Sequence, residues 1–78
     1  MRVWYCNIKD EPYGWLIASP TRGKAKILAV KEMMLDPESL LEMRTKVWPK
    51  EIDLDQPRAL TEEECRALGL RMLEEWEL

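Results

Sequence analysis

The sequence predicts a single α+β domain over residues 1–78: a three-stranded, mainly antiparallel sheet with two helices packed on it, in the order β-β-α-β-α. Three observations lead there. Two short runs rich in β-branched and aromatic residues flank a turn, Lys9-Asp10-Glu11-Pro12-Tyr13-Gly14. Residues 20–34 then carry helical periodicity behind a capping residue and a proline. Further on, Thr61-Glu62-Glu63-Glu64 has the spacing of a capping box ahead of a second helical stripe.

Residues 2–8, Arg-Val-Trp-Tyr-Cys-Asn-Ile, make the first strand. The turn is short enough to return the chain antiparallel into Trp15-Leu16-Ile17-Ala18, the second strand. Ser19 is placed to cap the first helix, with Pro20 at its first position, where the missing N–H would have no partner anyway. The helix is expected to run from Pro20 to Met34. Asp36-Pro37 ends it, because a residue before proline is pushed out of the α region, and Asp36–Ser39 has the makings of one short helical turn. From Glu42 to Trp48 the pattern alternates, with Met43, Thr45 and Val47 on one face and Arg44, Lys46 and Trp48 on the other. This is the third strand, stopped by Pro49. Residues 49–60 read as a polar loop, and the last helix as running from Thr61 to the C-terminus over a buried stripe of Cys65, Leu68, Met72 and Trp76. Gly69 weakens that helix, by up to about 1 kcal/mol against Ala.

Composition narrows the class. Hydrophobic residues make up 46% and charged residues 35%, too apolar for a disordered chain. A chain this short buries only about 60% of its unfolded surface, so its core is thin. Cys6 and Cys65 are too few for a disulfide framework. Neither a leader-like stretch nor an apolar run of membrane-spanning length stands in the sequence, so a reducing, cytoplasmic setting is expected, with both thiols buried and no membrane partner. Net charge is −3, split into +3 over residues 1–35 and −6 over 36–78.

The inventory for catalysis is poor. With no histidine, the commonest general base and metal ligand are missing. The two cysteines lack CxxC spacing, and a thiol nucleophile would have no imidazole to activate it. Asp53 and Asp55 sit among ordinary surface charges. No enzyme, no metal site and no cofactor is expected.

Binding surfaces are easier to name. Ser19, Thr21, Arg22, Lys24 and Lys26 surround a helix start, where free N–H groups and hydroxyl and cationic side chains suit an anion. The stretch is not a phosphate loop, since Ala18 stands where that motif needs glycine. Ordinary capping and solvated charge are the plainer account of it. The same helix shows two apolar arcs: Ala25, Leu28, Ala29 and Met33, then Ile27, Val30 and Met34. The second arc is expected to meet another copy or a partner, unless the last helix covers it. Trp48 beside Arg44 and Lys46 makes a basic–aromatic sheet face, suited to stacking nucleic-acid bases and equally to docking a protein. The glutamates of the last helix would repel nucleic acid, or meet a basic protein surface.

Residues 13–26, Tyr-Gly-Trp-Leu-Ile-Ala-Ser-Pro-Thr-Arg-Gly-Lys-Ala-Lys, resemble a block in small bacteriophage and prophage proteins, in which a short strand runs into a similar helix start. The resemblance implies no particular chemistry. It implies an accessory role by binding, such as inhibition of a host defence or regulatory protein. The leading expectation is therefore a non-catalytic interaction protein, binding a host protein or a small anionic ligand through residues 19–26 and the Arg44/Lys46/Trp48 face, and self-associating. A nucleic-acid-binding module on the same surface is the alternative.

Overall fold

A computed structural model describes residues 1–71. The sheet has four strands where three were expected. β1 (Arg2–Ile8), β2 (Gly14–Ser19), α1 (Arg22–Glu32), a 3-10 turn (Pro37–Leu41), β3 (Met43–Glu51), β4 (Arg58–Ala59) and α2 (Glu62–Ala67) follow in that order. All neighbours are antiparallel, in the spatial order β3-β1-β2-β4. The order β-β-α-β-α is thus corrected to β-β-α-β-β-α. The added strand lies in the segment read as a loop: Arg58 and Ala59 pair with Ala18 and Ile17. Two residues give no periodicity, so tertiary pairing alone makes this strand.

β1 is central and buried on both faces. Val3 and Tyr5 join Leu16, Ala18, Ile52, Leu60, Cys65 and Leu70 in one core cluster. Trp4, Cys6 and Ile8 join Ile17, Met43 and the α1 residues Ala25, Ala29 and Val30 in the other. The strand alternation that usually separates core from solvent here separates one core from another. The helices accordingly lie on opposite faces, α1 over the second cluster and α2 over the first.

β3 continues past Pro49, expected to stop it. It is an edge strand, and its pairing with β1 shifts register between Trp4↔Val47 and Arg2↔Glu51. A proline is tolerated at such an irregularity, where no ladder N–H is required. Gly14 lies beneath Tyr5: a Cβ there would sit 2.5 Å from the ring's Cε1 and from Oη. Only glycine leaves room for the ring.

Both helices end in the same device, and in both it corrects the expected boundary. Gly69, at φ +74, follows α2. Its N–H donates to Arg66 O (3.1 Å) and that of Leu70 to Cys65 O (2.6 Å). This is the left-handed cap that closes a helix, with Leu70 packed beside Cys65. Gly69 therefore terminates the helix it was expected merely to weaken, and Leu68, placed in the buried stripe, is exposed. Lys50 Nζ adds a bond to Leu68 O at 3.0 Å. Met72 and Trp76 of that stripe lie outside the described residues. After α1, Met34 N–H donates to Lys31 O (3.2 Å) and Leu35 N–H to Val30 O (3.0 Å). The left-handed residue here is Met34, at φ 55.

The starts differ in accuracy. The capping box at Thr61 and Glu64 is formed in both directions. For α1 the cap is Thr21, not Ser19: Thr21 is extended and its hydroxyl accepts from Lys24 N–H at 3.2 Å. Ser19 is the buried end of β2.

Candidate functional site

The residues singled out around the α1 start are only partly available to a ligand. Ser19 Oγ donates to Thr21 O (2.8 Å) and accepts from Thr21 N–H (3.3 Å), so a local turn uses it. The Thr21 hydroxyl is the cap. Arg22 stacks over the Trp4 ring, 5.6 Å from its centroid, a cation–π contact. Trp4 itself is buried, and its indole N–H donates to Ser19 O at 2.9 Å. Trp4 therefore pins the β2–α1 junction and stands on the opposite face of the sheet from Trp48. Lys26 is half-buried and lies close enough to Cys6 to favour its thiolate. Burial outweighs it and pushes the Cys6 thiol up to about 12. Lys24 is exposed.

Arg44, Lys46 and Trp48 share the other face. Tyr5 pairs with Lys46 and Asn7 with Arg44, which sets these two on the Val3–Tyr5 side. Trp48 is half-buried there against the first core cluster. The expected single binding surface therefore splits: residues 19–26 lie on the α1 side of the sheet, and Arg44, Lys46 and Trp48 on the α2 side. The expected self-association arc splits as well. Val30 is buried in the second cluster, Ile27 is exposed, and Met34 stands beyond the helix.

The sequence reading missed a different site. At the end of the molecule where the β1–β2 turn meets the C-terminal end of α1 and the 3-10 turn, a groove of about 520 Å³ opens. Its apolar walls are Ile8, Tyr13, Trp15, Met33, Met34 and Leu35, and its polar rim is Glu11, Glu32, Ser39 and Glu42. Two of these apolar residues are unusually open, Tyr13 at 61% and Met34 at 91%, and Leu41 of the adjoining 3-10 turn reaches 92%. The turn is held by Glu11 N–H to Ile8 O (3.1 Å) and by Lys9 N–H to Glu42 O (3.0 Å), which ties it to the start of β3. Its lining residues come from three separated segments, so no local motif announces it. Two signals were nonetheless present: a tyrosine in a polar turn, and a helix end at Met33-Met34-Leu35 without the usual glycine.

Ionic chemistry elsewhere is structural. Arg58 grips Glu64 with two hydrogen bonds, 2.6 and 2.5 Å, and tethers α2 to β4. That pairing, helped by the Thr61 N–H, holds the Glu64 carboxyl down at about 2. Burial, with Glu64 nearby, raises the Cys65 thiol. Cys6 and Cys65 belong to different core clusters, on opposite faces of the sheet. Among the described residues no cluster of His, Cys, Asp or Glu is placed to hold a metal ion, and no helix is long and apolar enough to cross a membrane. Comparison with protein-family models, with curated proteins and with solved structures returned no match.

Proposed function

We propose that the chain is a non-catalytic interaction protein that docks a protein partner in the groove formed by Tyr13, Trp15, Met33, Met34 and Leu35. The observation that carries this reading is Met34. It is 91% exposed and held at φ 55, where the side chain costs roughly 1–2 kcal/mol and glycine is the ordinary occupant. Its backbone closes the helix, but the exposed side chain serves neither the core nor that cap. It serves a contact, and methionine adapts its shape to a partner's surface. Tyr13, the other open apolar residue of the lining, belongs to a residue type enriched at interfaces.

The resemblance of residues 13–26 to small phage proteins fits an inhibitor or adaptor acting by such docking. Residues 19–26 and the set Arg44, Lys46 and Trp48 lie on opposite faces, so a nucleic-acid module or anion site that uses both sets together has less support.

Photo-reactive side chains placed singly at Tyr13, Leu41, Lys24 and Lys46 test the reading in host cells. Protein cross-links from positions 13 and 41 alone are expected. Cross-links to nucleic acid, or to protein from positions 24 and 46 alone, would overturn it.

A further inference from the structure

The charge around the groove assigns its occupant a chemistry. Glu11, Glu32 and Glu42 line it, and among the described residues no lysine or arginine does. A smaller depression shares Ser39 and Glu42 with it and adds Asp36 and Glu38. Glu32 is the last residue of α1, where the helix already presents partial negative charge and a carboxylate is locally unfavourable. Three glutamates lining an apolar groove at a helix C-terminus, against Lys31 in that last turn, make a field that attracts cations. We infer that the groove receives a short basic amphipathic segment of a partner protein, its large apolar side chains seated on Tyr13, Trp15 and Met34 and its Lys or Arg side chains paired with Glu11, Glu32 and Glu42. The inference rests on the groove being a protein-docking surface. A second copy of this chain fits less well. A symmetric contact through the groove sets glutamate rim against glutamate rim, and a head-to-tail contact onto a basic patch builds a ring or an open filament, which sizing of the protein alone would reveal.

Selection of a random peptide library on the intact protein, counter-screened with Tyr13→Ser/Met34→Ser, tests this. Both side chains are exposed, and thermal melting of the variant checks that the fold is kept. The expected peptides combine large apolar residues with several Lys or Arg and fail on the counter-screen. The best of them should bind Glu11→Gln/Glu32→Gln/Glu42→Gln at least about tenfold more weakly, and should lose affinity as salt shortens the screening length from about 10 Å to about 3 Å. Groove-dependent peptides that are neutral or acidic, or undiminished binding to the triple-Gln variant, would overturn the basic partner while leaving the docking surface standing. Peptides indifferent to the counter-screen, or no peptide at all, would remove the surface and the inference together. Concentration-dependent dimerisation abolished by the same substitutions would give the groove to a second copy and refute the proposal.

Discussion

Replacing Met34 with glycine should make the protein more stable and its groove weaker. The left-handed conformation at φ 55 costs a residue with a Cβ roughly 1–2 kcal/mol. Glycine relieves that cost but loses about 0.5–1 kcal/mol more chain entropy on folding. Met34 is 91% exposed, so little packing is lost. The net expectation is a gain between about 0 and 1.5 kcal/mol, centred near about 0.75 kcal/mol, or roughly 3–6 °C in Tm at that centre for a domain of this size. Met34→Ala separates the causes, because it removes the side chain and keeps the Cβ. Thermal and urea unfolding should show the gain in the glycine variant alone. Both variants should bind a groove peptide at least about tenfold more weakly, since burying a methionine contributes about 1.5–3 kcal/mol. A glycine variant no more stable than the parent would refute the strain argument. Equal stabilisation by alanine would place the cause in the side chain and not in the backbone.

Other perturbations have equally definite signs. Gly14→Ala should destabilise by about 1–3 kcal/mol through overpacking against the Tyr5 ring, and Tyr5→Leu in the same chain should recover part of the loss in urea titrations. Glu64 titrates near 2 in the fold against an ordinary 4.5, so its contribution is complete above 4.5 and is lost as pH falls towards 2; denaturation midpoints of the parent should fall more steeply across that window than those of Glu64→Gln, and parallel profiles would deny the Arg58 pairing. Cys6, with its thiol near 12 and no exposed surface, should resist a thiol reagent at neutral pH until the protein unfolds; prompt labelling of the native protein would contradict its burial.

Much of the architecture was legible where local chemistry decides it. β1 announces itself by composition, the turn by its residues, and α2 by its capping box. What escaped was set by partners distant in sequence. Arg58-Ala59 is a strand only because Ile17-Ala18 lies alongside. Pro49 stays within β3 because an edge strand with a register shift does not need its N–H. Gly69 reads from sequence as a weak link, since a cap and an interior glycine look alike until the following bonds are known. The α1 cap moved from Ser19 to Thr21 for a related reason: β2 runs one residue further than expected, into a buried serine. The candidate surfaces were less legible. Alternation correctly grouped Arg44, Lys46 and Trp48, but no local pattern tells which face of the sheet α1 will cover. The groove gathers Glu11, Tyr13, Met34 and Glu42 from segments whose meeting is a property of topology.

The doubly buried central strand acts as a partition wall. Adjacent positions in β1 answer to different neighbours: Val3 and Tyr5 to Leu60, Cys65 and Leu70, Trp4 and Cys6 to Ala25 and Ala29. A substitution in one compartment reaches the other only through the backbone they share. Ile8, the last residue of the strand, opens from the α1 compartment into the groove. The groove end can therefore be remodelled together with α1 and the turn, while the compartment under α2 keeps its own residues and holds the sheet in place.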